Sequence, residues 1–305
     1  MGQSKDMNET LCHSIHHAAQ LEHSVVTCRH ELNKTDLFSD EKLLAILQSH
    51  PDEYLQIYTM GDDHRELDDF RLGNRGSVSA ESLLSAVKTG KLWFNIMGLD
   101  YFHPEYKPVM DQLFDELEAV NPEFKTFDRS ATLLISSPNA KVYYHADGPP
   151  NILWHIRGRK RVSLYPSHLA GQIDVEKIFT RESNDDLPYD PSFDKVASDF
   201  VLGEGDMIAW PQNMPHRVDN LDAFCVSLSA EYFSKRSLRK KQLYIANHYL
   251  RRWLKLPCYG RQLFGVMPWL KINAYRVLCR LPFKRAQMAD DHVEFDLKDV
   301  MDVKP

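Results

Sequence analysis

The chain has 305 residues, of which 43% are hydrophobic and 26% charged, a composition typical of a globular protein with one large domain or one medium domain with additions. No stretch approaches the roughly 18–20 uninterrupted apolar residues of a transmembrane helix, and the opening residues MGQSKDMNET lack the apolar run of a secretory signal. Five scattered cysteines without a Cys-x-x-Cys pair favour a reducing compartment, so we expect a cytoplasmic protein.

Charge is distributed unevenly along the chain, whose net charge is −6. Between residues 235 and 285 there are fourteen Lys and Arg residues and no Asp or Glu, so this segment carries +14 and the rest of the chain −20. We therefore expect an acidic body and a basic segment that could meet an anionic surface or an acidic partner.

Helices dominate the prediction for the first 120 residues. Residues 1–35 are polar and rich in His, which indicates a poorly ordered arm or a loosely held helix. The elements expected next are a helix capped by Ser39 and stopped by Pro51, a strand at 54–60, a helix from Ser79 to about Gly90, a strand at 92–97 and a helix at 104–120.

From about Thr126 the sequence changes to short strands separated by turn residues. Strands are predicted at 131–136, 141–147, 151–156, 160–165, 207–210 and 223–229. Many short strands punctuated by Gly, Pro and Asn are typical of a sandwich or jelly roll. The acidic stretch 181–200, which contains two prolines, is expected to be a loop over the mouth or edge of that structure.

The predicted fold is mainly β with flanking helices. Its parts are a polar His-rich arm (1–35), a β-rich domain with N-terminal helices (36–234), a basic helical extension (235–285) and an acidic tail (286–305). The extension is expected to be helical because Leu243, Ala246, Leu250 and Trp253 fall on one stripe at helical spacing.

A candidate metal site begins in the segment VYYHAD. His145 and Asp147 are two positions apart, so in a strand both side chains point to the same side. Two His and one carboxylate on one face of an octahedron are typical of non-haem Fe(II) oxygenases. Three further His-x-acid pairs, His64-Glu66, His103-Glu105 and His292-Glu294, lack a strand-like context and are interpreted as surface residues.

The residues around His145 carry a family resemblance. The segment HADGPPNILWHIRGRKRVSLYP resembles JmjC oxygenases, most of all their cupin-like branch, which includes peptidyl asparaginyl hydroxylases. The branch's pattern of Asn, Ile-x-Gly-x-Lys and Leu-Tyr-Pro is matched without gaps by Asn151, Ile156, Gly158, Lys160, Leu164, Tyr165 and Pro166. Its second half is matched by Gly205-Asp206 through Pro211, followed after four residues by His216.

This resemblance implies a cupin-type double-stranded β-helix, a jelly roll, that works as an Fe(II)- and 2-oxoglutarate-dependent dioxygenase. It implies that His145, Asp147 and His216 hold Fe(II), that Lys160 binds the distal carboxylate of 2-oxoglutarate, and that Asn151 supports the co-substrate. Some relatives place a hydroxyl residue where this chain has Val142, so Tyr143 or Ser229 is expected to supply a second hydrogen bond to the co-substrate. O₂ would be consumed, and succinate, CO₂ and a hydroxylated protein side chain or small molecule would be the products.

Two other functions compete with the oxygenase. A non-catalytic cupin-like module could use the β-structure as a binding or regulatory pocket, although intact ligands and Lys160 oppose this. A zinc hydrolase or isomerase on the same framework would leave Lys160 and Asn151 without a role. The prime substrate itself is not indicated by the sequence.

Two flanking regions also leave alternatives open. The arm holds Cys12, His13, His16, His17, His23, Cys28 and His30, but their spacing fits no standard zinc finger. The basic segment 235–285 is interpreted as a docked helical extension, with homodimerisation, nucleic acid and an anionic membrane as alternatives. His155 and His168 are interpreted as packed or surface histidines.

Overall fold

Two facing β-sheets form the centre of the computed structural model, which describes residues 10–13, 18–61, 63, 65, 69–282, 288 and 292–298. The strands are β1 Cys12–His13, β2 Val26–His30, β3 Leu55–Thr59, β4 Arg71–Asn74, β5 Leu92–Met97, β6 Thr126–Ser136, β7 Lys141–His145, β8 Asn151–Arg157, β9 Lys160–Leu164, β10 Ser198–Leu202, β11 Asp206–Ala209, β12 His216–Asn220, β13 Cys225–Ser234 and β14 Phe295–Asp296. The predicted mainly β fold with flanking helices is confirmed.

The large sheet has the order β1-β2-β11-β8-β13-β6-β5-β3-β4-β14, and the small sheet has the order β10-β9-β12-β7. Neighbours are antiparallel except for β14, which pairs in parallel with β4. An apolar cluster drawn from both sheets lies between them and includes Trp93, Leu153, Val162, Ile208 and Val218. We call the space enclosed by the two sheets the barrel interior.

The helices are α1 Asp40–Ser49, α2 Ala80–Thr89, α3 Leu99–Phe102, α4 Lys107–Val120, α5 Gln172–Thr180, α6 Lys235–Leu254 and α7 Val266–Leu278. Helices α1, α2 and α4 pack their apolar stripes on the outer face of the large sheet. The predicted caps are present, because the Ser39 hydroxyl accepts a hydrogen bond from the Lys42 amide and the Ser79 hydroxyl accepts one from the Ser82 amide. Short 3-10 helices flank several of these elements, including Pro104–Tyr106 before α4 and Pro191–Val196 before β10.

Alternate residues of strand β13 face the apolar cluster under the helices and the barrel interior. Val226 and Leu228 belong to the cluster under the helices, whereas Ser227 and Ser229 lie on the other side of the sheet. The sequence predicted this division, with the small polar face of the strand turned into the barrel interior. That face prepares a polar pocket inside an otherwise apolar barrel.

The arm is organised differently from the prediction. Residues 26–30 are neither loosely ordered nor helical, but form β2, which pairs with β11 from Val26↔Ala209 to Arg29↔Asp206. Their burial alternates, with Val26, Cys28 and His30 buried. The sequence VTCRH has the period of a half-buried strand, a signal hidden by the many polar residues around it.

The basic segment is helical, as predicted. A reciprocal capping box between Ser234 and Ser237 begins α6, and its buried stripe includes Leu243, Ala246 and Leu250. Arg251 pairs with the fully buried Glu176 and thereby joins α6 to α5. Residues 283–285 and twelve of the twenty residues of the tail 286–305 lie outside the described residues. No described helix is both long and apolar enough to cross a membrane.

Candidate active site

The two candidate histidines face each other across the small sheet. Strands β7 and β12 are antiparallel neighbours, and their register places His145 directly opposite His216. Directly opposed residues of an antiparallel pair have Cβ atoms about 4.5–5.5 Å apart, so both imidazoles reach one point. Asp147 follows two residues after His145, where β7 has ended, and its side chain turns to the same point.

Nitrogen and oxygen atoms of His145, Asp147 and His216 form a compact cluster. The Nε2 atom of His145 lies 3.8 Å from Asp147 Oδ1, and the Nε2 atom of His216 lies 3.6 Å from Asp147 Oδ2. One donor atom from each of the three residues lies within 4.8 Å of the others. Within the described part of the chain, no other group of three or more such side chains comes together in this way.

Backbone carbonyls fix which imidazole nitrogens are available. His145 Nδ1 donates to the Tyr143 carbonyl at 2.8 Å, and His216 Nδ1 donates to the Met214 carbonyl at 3.1 Å. Each Nδ1 carries the proton because a carbonyl can only accept, so each Nε2 keeps its lone pair toward Asp147. Such partners are the usual means by which proteins orient metal-ligating histidines.

Burial sets the electrostatics of the cluster. It raises the pKa of Asp147 and lowers the pKa of His216, because both charged forms lose their hydration. A bound divalent cation would stabilise the ionised carboxylate of Asp147, and it binds imidazoles only in their neutral form. The three residues therefore fit a metal of the 2-His-1-carboxylate kind.

A hydrogen-bonded chain reaches Asp147 from β8 and β13. The Ser229 hydroxyl donates to Asn151 Oδ1 at 2.8 Å, and Asn151 Nδ2 donates to Asp147 Oδ2 at 3.4 Å. The structure thus brings Asn151 and Ser229 together with the carboxylate. Both residues are thereby placed to orient that carboxylate, a position that the sequence did not suggest.

The turn before His216 holds the backbone of Asp147. Asn213 Nδ2 donates to the Asp147 carbonyl at 2.7 Å, and Gln212 Nε2 donates to the Gly148 carbonyl at 2.9 Å. Asn213 has a φ of 60°, in the left-handed region that Asn tolerates better than most residues. Sequence reasoning missed both residues, and the Asn between two prolines was the available signal.

Lys160 lies inside the barrel, as its strand position predicted. Its side chain is fully buried, its Nζ lies 5.1 Å from the centre of the Trp93 ring, and no described atom accepts a hydrogen bond from it. Burial lowers its pKa to about 8. A buried ammonium without an acceptor is costly, so this site fits an anionic group that enters the barrel.

His155 is a second buried group beside Lys160. Its Nδ1 lies 3.0 Å from the Ser227 hydroxyl, while its Nε2 has no partner among the described atoms. Burial, then the nearby Lys160, lowers the pKa of His155 to about 3, so the ring is neutral. Of the two interpretations given from the sequence, a packed or a surface histidine, the structure shows the packed one, and the position beside Lys160 was not predicted.

Tyr143 lies between the cluster of His145, Asp147 and His216 and the acidic stretch 181–200, which we call the acidic connection. Its hydroxyl donates to Asp185 Oδ1 at 3.0 Å, and its ring packs edge-on against His145 at 5.5 Å between centroids. Residues 185–187 hydrogen-bond to the backbone of Tyr144 and Ala146. The acidic connection therefore lies against the strand end that carries the cluster.

The remaining histidines have other environments. His103 is buried, with its Nε2 3.1 Å from His50 Nδ1, so its interpretation as a surface residue was wrong; a helix-start position does not reveal the packing that follows. His168 and His292 are exposed. His64 and Glu66, like His16 and His17 of the arm, lie outside the described residues.

Residues 75–237 match the model of a family described as a cupin-like domain. The chain belongs to this family. The match covers His145, Asp147, Lys160 and His216, and it confirms the resemblance stated from the sequence motifs. No curated protein sequence matches the chain.

Solved structures resemble this cupin-like chain at low sequence identity. The E. coli protein ycfD is 16% identical, with a TM-score of 0.50, over 86% of this chain and 66% of that chain. Two further structures are of YcfD, described as a ribosomal oxygenase from Escherichia coli. One is in complex with cobalt and succinic acid and is 15% identical, with a TM-score of 0.44, over 81% of this chain and 60% of that chain. The other is in complex with cobalt and 2-oxoglutarate and is 13% identical, with a TM-score of 0.47, over 92% of this chain and 74% of that chain. The chain thus spans 66% and 60% of the lengths of the first two, and the first likeness establishes a shared fold.

Proposed function

We propose that this cupin-like protein is an Fe(II)- and 2-oxoglutarate-dependent dioxygenase that hydroxylates a C–H bond. The proposal depends on two features of one barrel, the cluster of His145, Asp147 and His216 and the buried ammonium of Lys160, which has no hydrogen-bond acceptor among the described atoms. The cluster fits Fe(II), and the ammonium fits the distal carboxylate of 2-oxoglutarate. YcfD has been solved with cobalt and 2-oxoglutarate, which supports the choice of co-substrate.

Fe(II) at the cluster would supply the activation of O₂, so that one oxygen atom enters succinate and the other enters the substrate, with release of CO₂. The protein's own residues bind, orient and exclude water. Lys160 would fix the far end of 2-oxoglutarate, while Ser229 and Asn151 hold Asp147 in position. The apolar walls around Trp93, Leu153 and Val162 keep bulk water from the pocket.

The role of Asn151 is proposed to be shared between the metal ligand and the co-substrate. Its amide nitrogen already donates to Asp147, and Ser229 occupies its oxygen. Tyr143 and Ser229 remain candidates for a further hydrogen bond to 2-oxoglutarate. Tyr143 would have to turn its hydroxyl from Asp185 to serve in that way.

The prime substrate is proposed to be a protein side chain or a small molecule. Its binding region would be the mouth beside Tyr143 and the acidic connection, since residues 185–187 lie against the end of β7. YcfD is described as a ribosomal oxygenase, which favours a protein substrate for this chain. We also propose that residues 36–234 form the oxygenase domain and that the protein is cytoplasmic. Homodimerisation is an alternative function of the segment 235–285.

The competing proposal is a non-catalytic binding module on the same fold. Succinate formation separates the two, because an oxygenase converts 2-oxoglutarate slowly even without its prime substrate and a binding module does not. We expect Fe(II)-dependent succinate formation by the wild-type protein, stimulated by a fraction of cell extract. Absence of succinate with every fraction, together with intact Fe(II) and 2-oxoglutarate binding, would establish the binding module instead.

A further inference from the structure

Helix α7 carries apolar side chains on two opposite faces. Pro268 and Ile272 are buried against the rest of the chain. Val266, Leu270 and Val277 are 74%, 46% and 62% exposed. With 3.6 residues per turn these three share one side, half a turn away from Pro268 and Ile272. We call Val266, Leu270 and Val277 the outer face of α7.

Exposed apolar side chains are concentrated around this outer face. Of the nineteen large apolar side chains that are exposed in the described residues, ten lie between positions 254 and 281. They include Leu256, Tyr259 and Phe264 in the connection between α6 and α7, and Trp269, 55% exposed, on the flank of α7. A concentration of this kind marks an interaction surface rather than scattered exposure.

The same surface is uniformly cationic. Residues 235–285 contain no Asp or Glu. Four exposed cations flank α7 in the sequence, Lys255 and Arg261 in the connection before it and Arg276 and Arg280 at its C-terminal end. We call these four residues the cationic rim. Among the described residues, the ion pairs of α6 are made with Glu176 of α5 and Glu182 of the following loop, as in the pairs Arg251–Glu176 and Arg252–Glu182.

We infer that the outer face of α7 and its cationic rim bind the surface of an anionic membrane. An amphipathic helix in this position lies in the plane of the interface, with its apolar face among the acyl chains and its cations among anionic headgroups.

The cations around this surface favour a membrane as its binding partner over a second copy of the chain or a nucleic acid. A second copy docked on the same face would place cations against cations around the apolar centre, because an isologous interface pairs each patch with itself. A nucleic acid would neutralise the cations but leave Val266, Leu270 and Val277 in water. An anionic bilayer satisfies both features at once.

The test uses the full chain and vesicle co-sedimentation, with no reference to turnover. We expect binding to vesicles made of equal amounts of phosphatidylserine and phosphatidylcholine, little binding to phosphatidylcholine alone, and release by salt. The double variant Val266→Asp/Leu270→Asp should bind roughly 100-fold more weakly, since it loses buried apolar area and adds repulsive charge. Its matched control is Val120→Asp, which changes a side chain of similar exposure (52%) at the end of α4 and should bind like wild type.

A second pair of changes tests the cationic rim. Arg276→Gln/Arg280→Gln removes two cations while leaving the outer face intact, and should weaken binding about thirty-fold at low salt. The inference is overturned if full-length protein does not bind the anionic vesicles, or if Val266→Asp/Leu270→Asp binds them like wild type. It is equally overturned if that variant merely converts a dimer into a monomer in light scattering, or if the chain binds nucleic acid but no vesicles.

Discussion

The barrel interior and the outer face of α7 place side chains in opposite kinds of unfavourable surroundings. Inside the barrel, Lys160 is fully buried without a hydrogen-bond acceptor among the described atoms. On α7, Val266 is 74% exposed although it is apolar. Each arrangement lowers the stability of the isolated chain and is relieved by binding, of an anion in one case and of an apolar surface in the other.

The two regions differ in how precisely they hold the groups that bind a ligand. The barrel holds its ligand groups rigidly, with backbone carbonyls on both histidines and side-chain amides on the Asp147 loop. The C-terminal helices need no such accuracy, because a membrane accepts many orientations of an apolar stripe. Substitutions in the barrel should therefore change affinity for particular small ligands, whereas those on α7 should change a graded surface affinity.

The largest effect is expected when a metal ligand is removed. His145→Ala or His216→Ala should lower Fe(II) affinity and succinate formation by more than about 100-fold, the upper range for losing only a partner that supports a ligand. Metal binding measured by calorimetry under anaerobic conditions checks this. His168→Ala, at an exposed histidine, is the control, and wild-type succinate formation by His145→Ala would show that the cluster is not the iron site.

The second-largest effect is expected when Lys160, the proposed cation that binds the co-substrate, is replaced. Lys160→Met should weaken 2-oxoglutarate binding by about 10–100-fold, because a charge-assisted hydrogen bond contributes roughly 1.5–3 kcal/mol. Fe(II) binding should change little. Arg159→Ala and Arg161→Ala provide controls from the neighbouring, more exposed positions. Normal 2-oxoglutarate affinity in Lys160→Met would require a different anchor for the co-substrate.

The same variant should be more stable than the wild type in the absence of ligand. The pKa of Lys160 falls from 10.5 to about 8 in the folded protein, so the unfolded chain binds more protons between these pH values and wild-type stability rises with pH across that window. Below pH 8 the cost is complete, about 3 kcal/mol. Urea unfolding at pH 7 should show Lys160→Met more stable by up to that amount, with a smaller gain at pH 10. An unchanged or lower stability at pH 7 would contradict the unpaired state of Lys160.

A pH dependence of co-substrate affinity follows from the same group. The ammonium form binds the carboxylate, so 2-oxoglutarate affinity should fall about ten-fold between pH 7 and pH 9. The other titratable groups beside Lys160 stay neutral there, since burial lowers the pKa of His155 to about 3 and raises the pKa of Cys225. Lys160→Arg, which stays charged, should bind more weakly than wild type but without this dependence. The same slope in both proteins would assign it to another group.

The smallest effect is expected at the end of the hydrogen-bonded chain to Asp147. Ser229→Ala should weaken Fe(II) binding about five-fold, since one neutral hydrogen bond contributes about 1 kcal/mol. Ser227→Ala, on the same face of β13 but bonded to His155, is the matched control. Equal Fe(II) affinities in the two variants would mean that Ser229 does not position the metal ligand.

Local patterns explain why much of the fold was predictable. The capped helices α1 and α2 and the strands around His145 and Lys160 follow from period and turn residues that lie close together in the sequence. Strand β12, which carries His216, was not predicted because its sequence HRVDN is polar for a strand. Its residues form a strand through pairing with β7 and β9. The roles of Asn213 and Ser229 depend on partners 66 and 78 residues away, which no local pattern encodes.

Strand β2 has a practical consequence for any shortened form of the protein. Positions 26–30 lie before the region that matches the cupin-like family, yet they supply the hydrogen-bonding neighbour of β11. Removal of residues up to 35 would leave β11 as an unprotected sheet edge, with Met207 and Ala209 uncovered beside its free amides and carbonyls. Edges of this kind template intermolecular strand pairing, so a trimmed protein that retains His145, Asp147, Lys160 and His216 would be prone to aggregate.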